Sequence, residues 1–125
     1  MTELRELYYC SLCDNVTEVV HVGAPALVCC GEMMEKLEAK TADEGLEKHV
    51  PVMKESDNGV LVTVGSINHP MTEKHLINFI EVLTEDKVLR AELQPGQKPE
   101  AEFNVCASDV KQVRAYCNLH GLWSA

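Results

Sequence analysis

Cys117 and His120 stand three residues apart in Cys117-Asn-Leu-His120-Gly121, so one short turn offers a thiolate and an imidazole together. A soft sulfur and a borderline nitrogen are donors that transition metals take. The pair gains meaning from a count. The chain has five histidines, and His49, His69 and His75 fall on or beside turn-rich stretches rather than within an apolar strand pattern. Four imidazoles and one thiolate exceed the four ligands at which a structural zinc site closes. Five protein ligands suit an iron that keeps one position open for a small molecule. A thiolate opposite that position pushes electron density through the metal.

A second donor set lies early in the chain. Cys10-Ser-Leu-Cys13 is followed, after fifteen residues, by Cys29-Cys30-Gly31. Two cysteine pairs on facing turns make a tetrahedral tetrathiolate site, of the kind found in zinc ribbons and rubredoxin-like iron proteins. Four sulfurs do not choose between zinc and iron. A redox-active Cys10–Cys13 disulfide leaves Cys29 and Cys30 unexplained, and a vicinal bridge between those two is strained. The N-terminus, Met1-Thr-Glu-Leu-Arg-Glu, lacks the basic and then apolar pattern of a secretory signal. Metal ligation is therefore expected over a disulfide framework, in a cytoplasmic protein.

Composition narrows the function classes. At 125 residues the chain holds one ordinary domain, or a modest domain with a small appendage. No apolar run approaches the roughly 20 residues of a membrane span. A net charge of −9 argues against nucleic acid, because nothing neutralises phosphates. With one Trp, two Phe and three Tyr, the core must rest on Val, Leu and Ile.

The elements that position these donors read as strands. Residues 1–37 are too few to bury a sufficient core, so the metal is one staple and a second copy of the chain is expected to supply another, giving a homodimer. Within them 16–22 suggests a short strand, and Gly23-Ala-Pro25 turns the chain. Residues 38–44 are polar, lack apolar periodicity, and read as a linker. From residue 45 the pattern is β. Residues 47–51 are extended, with Pro51 holding Val50 in β or polyproline geometry. Ser56-Asp-Asn-Gly59 before 60–64 is a hairpin signal. Residues 75–84 fit helix and strand spacing alike; the surrounding turn density favours a strand. Stretches 88–93 and 101–106 flank the Pro95-Gly96 loop, with Cys106 read as a buried strand residue. Alternation over 110–116 carries the chain into Cys117. Short strands with frequent turns predict a small antiparallel sandwich.

The motifs carry a family resemblance. Tyr9-Cys10-x-x-Cys13 with Leu27-x-Cys29-Cys30-Gly31-Glu32-x-Met34 resembles the desulforedoxin module. Glu47-Lys48-His49-Val50-Pro51, His69-Pro70-Met71, His75 and Cys117-Asn-Leu-His120-Gly-Leu-Trp123 resemble the superoxide reductase signature. The whole chain is similar to the desulfoferrodoxins, two-iron superoxide reductases. The resemblance implies a mainly β protein: a rubredoxin/desulforedoxin-like metal-stapled domain over 1–37, then an immunoglobulin-like antiparallel β-sandwich over 45–125. It implies one iron on Cys10, Cys13, Cys29 and Cys30. A second, catalytic iron would sit on His49, His69, His75 and His120 with Cys117 axial, and neither haem nor flavin is implied. The reaction would be one-electron reduction of superoxide to hydrogen peroxide without release of dioxygen. Lys48 would attract the anion and order a proton-donating water. Glu47 would fill the sixth position in the ferric resting state, with loop movement at 46–50. The expected partners are superoxide, a rubredoxin as electron donor and a second copy, in an anaerobic or microaerophilic prokaryote. A rubredoxin-like electron-transfer protein without catalytic role accounts for the four cysteines but leaves the histidines unused. A structural zinc module does the same.

Overall fold

The computed structural model describes residues 2–23, 26–42, 49–65 and 69–125. It divides into two units, Met1–Glu38 and Ala39–Ala125. In the first, β1 (Leu7–Tyr9) pairs antiparallel with β2 (Val16–Glu18), while β3 (Val28–Cys29) and β4 (Glu32–Met33) form a hairpin. Strand β5 (Glu35–Lys36) adds to the other edge of β1. The strand expected over 16–22 stops at Glu18. Of this unit's described apolar side chains only Leu7, Cys10 and Val19 are buried, whereas Leu4, Leu12, Val20, Val22, Val28 and Met33 are exposed.

The second unit is built by alternation. Strands β6 (Pro51–Ser56) and β7 (Gly59–Val64) form the expected hairpin. Val60, Val62 and Val64 are fully buried while the residues between them are half-buried, as period-two geometry requires. Gly59 begins β7 with φ 149°; a Cβ there would collide with the Phe103 carbonyl oxygen and come within 2.9 Å of the Val105 nitrogen, so only glycine fits. The remaining strands are β8 (Ile77–Leu83), β9 (Val88–Glu92), β10 (Glu100–Phe103), β11 (Gln112–Cys117) and β12 (Gly121–Ser124).

Two antiparallel sheets result, in the orders β10-β7-β6 and β12-β11-β8-β9. The connections β7–β8, β9–β10 and β10–β11 each pass from one sheet to the other. One core joins them: Val60, Val62, Val64 and Phe103 from the first, Ile77, Ile80, Val82, Val113, Ala115 and Cys117 from the second. This is the small antiparallel sandwich that the strand pattern predicts, and the immunoglobulin-like one that the family resemblance implies.

The ambiguity over 75–84 has a physical cause. Ile80 and Val82 face the core, and Glu81 on the opposite face is also fully buried. Arg114 Nε donates to its Oε1 at 2.6 Å. With both faces covered, β8 shows no polar–apolar alternation. The reading of 101–106 needs correction. Cys106 is exposed and precedes a 3-10 turn at Ala107–Asp109; it is not a buried strand residue. The ladder ends at Phe103, where Val105 N–H turns back onto the Phe103 carbonyl. Strand β12 was unexpected, because its residues read as the tail of a ligand turn. Within the stretch read as a linker, Lys40 bridges Trp123 in parallel, with Lys40 N–H donating to the Leu122 carbonyl at 2.9 Å. Among the described residues no helix is long and apolar enough to cross a membrane.

Candidate metal centres

Two turns build the four-cysteine group. Cys10 follows β1, and its N–H donates to the Asn15 carbonyl while Asp14 N–H donates to the Cys10 carbonyl. This knuckle brings Cys13 round to the side of Cys10. Across from it, Cys30-Gly31 is the two-residue turn of the β3–β4 hairpin, with φ of 54° and 79°. Left-handed geometry at both positions matches the right-handed twist of the strands, and a cysteine rarely accepts it. The outcome is convergence: Cys13 Sγ lies 3.5 Å from Cys29 Sγ, which lies 3.9 Å from Cys30 Sγ. A tetrahedron of sulfurs about 2.3 Å from a metal has edges of about 3.8 Å. All four thiols are free, with no disulfide among them. The Cys13 backbone N–H holds the Cys10 thiol down at about 7. Its thiol neighbours, Cys13 first, push Cys30 up to about 12. Clustered sulfurs resist becoming thiolates together, and a cation at their centre removes that resistance.

The second group is assembled from three separated places in the sandwich. His49 lies two residues before β6. His69 and His75 lie on the connection between β7 and β8. Cys117 ends β11, and His120 sits in the turn before β12. Gly121 closes that turn with φ 85°; a Cβ there would meet nothing within 4 Å, so backbone conformation and not space favours glycine. The pairing of β11 with β8 shifts here: Tyr116 opposes Phe79, but Cys117 opposes Ile77. The extra residue lies on β8 and brings Ile77 to the same face as Ile80 and Val82, while plain alternation through Val113 and Ala115 carries Cys117 to the core side, where it is fully buried.

The donor atoms of His49, His69, His75, Cys117 and His120 lie within 4.8 Å of one another. His49 Nε2 is 3.0 Å from His69 Nε2 and 3.1 Å from His120 Nδ1. Cys117 Sγ is 3.7 Å from His120 Nδ1. The four rings form a closed circuit of edge-on neighbours, 49 to 69 to 75 to 120, with centroids 4.6–5.0 Å apart. Hydrogen bonding does not account for this. His69 Nδ1 donates to the Pro70 carbonyl at 2.7 Å, which leaves the lone pair on Nε2 facing the others. His49 Nε2 can donate to one neighbour, yet stands against two. Neighbouring nitrogens about 2.1 Å from one metal, at right angles, are about 3 Å apart. The donor set therefore fits a cation.

Two residues that sequence reasoning did not assign complete the surroundings. Trp123 stacks on His49 at 4.7 Å and 15°, a flat apolar backing to that imidazole. Lys40 Nζ lies 4.9 Å above the Trp123 ring and donates to the His120 carbonyl at 3.5 Å. Eighty residues separate Lys40 from His120, and no local pattern signals that pairing. Glu47 and Lys48 lie outside the described residues.

The desulfoferrodoxin family model matches residues 41–125, and the model of the desulfoferrodoxin N-terminal domain matches residues 2–37. The chain belongs to the desulfoferrodoxin family. A desulfoferrodoxin homolog from Archaeoglobus fulgidus is 53% identical, over 100% of this chain and 99% of its own length. A desulfoferrodoxin from Syntrophotalea carbinolica is 51% identical, over 100% and 98%. Among solved structures, the superoxide reductase from Treponema pallidum matches with a TM-score of 0.80 at 29% identity, covering 96% of each chain. In a desulfoferrodoxin, a four-sulfur group and a group of four imidazoles with one thiolate are consistent with two iron sites.

Proposed function

We propose that this chain is a superoxide reductase, converting superoxide, one electron and two protons into hydrogen peroxide without releasing dioxygen. The observation that carries the reading is the convergence of four imidazoles and the buried Cys117 sulfur on one point. The 0.80 TM-score to a superoxide reductase supports it. Iron held there supplies the one-electron couple.

The residues divide the work. His49, His69, His75 and His120 are neutral donors, and Cys117 is the anionic, polarisable one. Burial of Cys117 keeps water off the sulfur, so its electron density is not spent on solvent hydrogen bonds. Trp123 shields one face of His49. The substrate is an anion and the protein carries −9, so local field must overcome net charge. We assign that task to Lys48, which adjoins His49 in sequence, and Glu47 would supply a carboxylate to the bound iron in its oxidised resting state. The four-cysteine group serves as an electron relay or a structural staple, for which Cys10, Cys13, Cys29 and Cys30 are the ligands.

The assembly belongs to the same proposal. The first unit leaves Leu4, Val20, Val28 and Met33 exposed around a small core, which suits coverage by a second copy. A rubredoxin is the proposed electron donor, and the cytoplasm of an anaerobic or microaerophilic prokaryote the proposed setting. The activity is tested by measuring peroxide and dioxygen formed per superoxide consumed with an external reductant present. A reductase gives one peroxide per superoxide and no dioxygen. Half a peroxide with half a dioxygen means dismutation instead.

A further inference from the structure

His75 sits in a stretch, 69–76, that is neither strand nor helix, so no ladder holds its backbone. The backbone groups around it are nonetheless held, and by two residues. Asn118 Oδ1 accepts from Leu76 N–H at 3.0 Å, and Asn118 Nδ2 donates to the Lys74 carbonyl at 2.9 Å. Its own N–H donates to the Leu76 carbonyl at 3.3 Å. Thr72 does the rest. Its hydroxyl oxygen accepts from His75 N–H at 3.1 Å, and its N–H donates to the His75 carbonyl at 2.9 Å. One amide side chain thus grips the chain on both sides of His75, from the turn that carries Cys117 and His120.

We propose that Asn118, with Thr72, is a positioning residue that fixes the His75 imidazole against the Cys117–His120 turn. This rests on the metal-site reading above, not on the identity of the substrate. The need is geometric. His75 and His69 share one irregular connection, while Cys117 and His120 share a hairpin, and the strand pairing between β8 and β11 shifts just where they meet. A donor on irregular backbone holds a metal only as well as that backbone is held. Asparagine suits the position because its short planar amide presents a donor and an acceptor together. Both bonds reach backbone, so the clamp acts on where His75 stands and not on its ring chemistry.

The test compares Asn118→Ala and Thr72→Val with the parent full-length protein after loading with iron. The first readout is the rate at which a chelator strips iron from the histidine–cysteine centre, followed by its visible absorption. The second is amide hydrogen exchange at Leu76 and His75, with Ile80 and Val82 of β8 as reference. Asn118→Ala is expected to speed iron loss about 10–100-fold. It should also shift the sulfur-to-iron absorption and deprotect Leu76 while Ile80 and Val82 stay protected. Thr72→Val, which leaves the hairpin untouched, should deprotect His75 and speed iron loss by a smaller factor. Unchanged stripping rates in both variants overturn the proposal. So does iron loss accompanied by deprotection throughout β8, which marks a general fold defect. Because neither readout uses superoxide, the clamp can fail while the reductase reading stands, and the reverse.

Discussion

The two donor groups are built in opposite ways. The four cysteines come from two local turns within Met1–Glu38, and Cys13 and Cys30 are exposed. The four histidines and Cys117 come from separated places along a sandwich, and His49, His69 and Cys117 are buried. In the first unit the interior is slight, since only Leu7, Cys10 and Val19 are buried apolar residues among those described. In the second the interior is a continuous core, mostly Val and Ile, to which the site contributes only Cys117. The first unit is thus organised by its metal, and the second unit organises a place for one.

The largest expected effect breaks that symmetry outright. Removing both metals should unfold residues 2–37, because binding free energy on the order of 10 kcal/mol is there folding free energy. Hydrogen exchange protection in β7, β8 and β11 should persist. Loss of protection in both units together would erase the distinction. Next comes Gly59→Ala, whose Cβ collides with the Phe103 carbonyl oxygen. It should destabilise the sandwich by roughly 3 kcal/mol or more in denaturant unfolding, without altering the absorption of the four-cysteine iron. Lys40→Met should cost about 0.5–1 kcal/mol of sandwich stability, the range of an exposed cation over an aromatic ring. The smallest effect is in the first unit. Lys36 Nζ lies 2.9 Å from Glu6 and, with backbone bonding at Glu3, holds the Glu6 carboxyl below its ordinary range. A carboxyl lowered in the folded state stabilises above its unfolded pKa, and that contribution is lost as pH falls through the folded value. Glu6→Gln should therefore flatten the acid side of the first unit's stability profile and leave the sandwich's profile unchanged.

What was legible follows the same division. The cysteine pairs announce themselves because their spacing is local and their turns carry Gly31 and Asp14-Asn15. The histidine–cysteine set was legible only as a count of residue types near turns. Its convergence depends on β pairing across some seventy residues, from His49 to His120. Strand β8 was hard to read because burial on both faces removes alternation. Cys106 was misplaced because strand propensity does not mark where a ladder stops, which Val105 decides by turning back on Phe103. Strand β12 hid inside the ligand motif: Leu122 and Trp123 pair with Tyr116 and Ala115, a relation that only register reveals. Lys40, Thr72 and Asn118 act through partners distant in sequence or through backbone, and neither leaves a pattern of residue types.

The account turns on Cys117 being more than a fifth anchor. The direct measurement is superoxide consumption and iron content for Cys117→Ser beside the parent chain. The account predicts that the variant keeps some iron on its four imidazoles, keeps the four-cysteine absorption, and loses superoxide reduction. A variant that holds its iron and reduces superoxide at the parent's rate would contradict it.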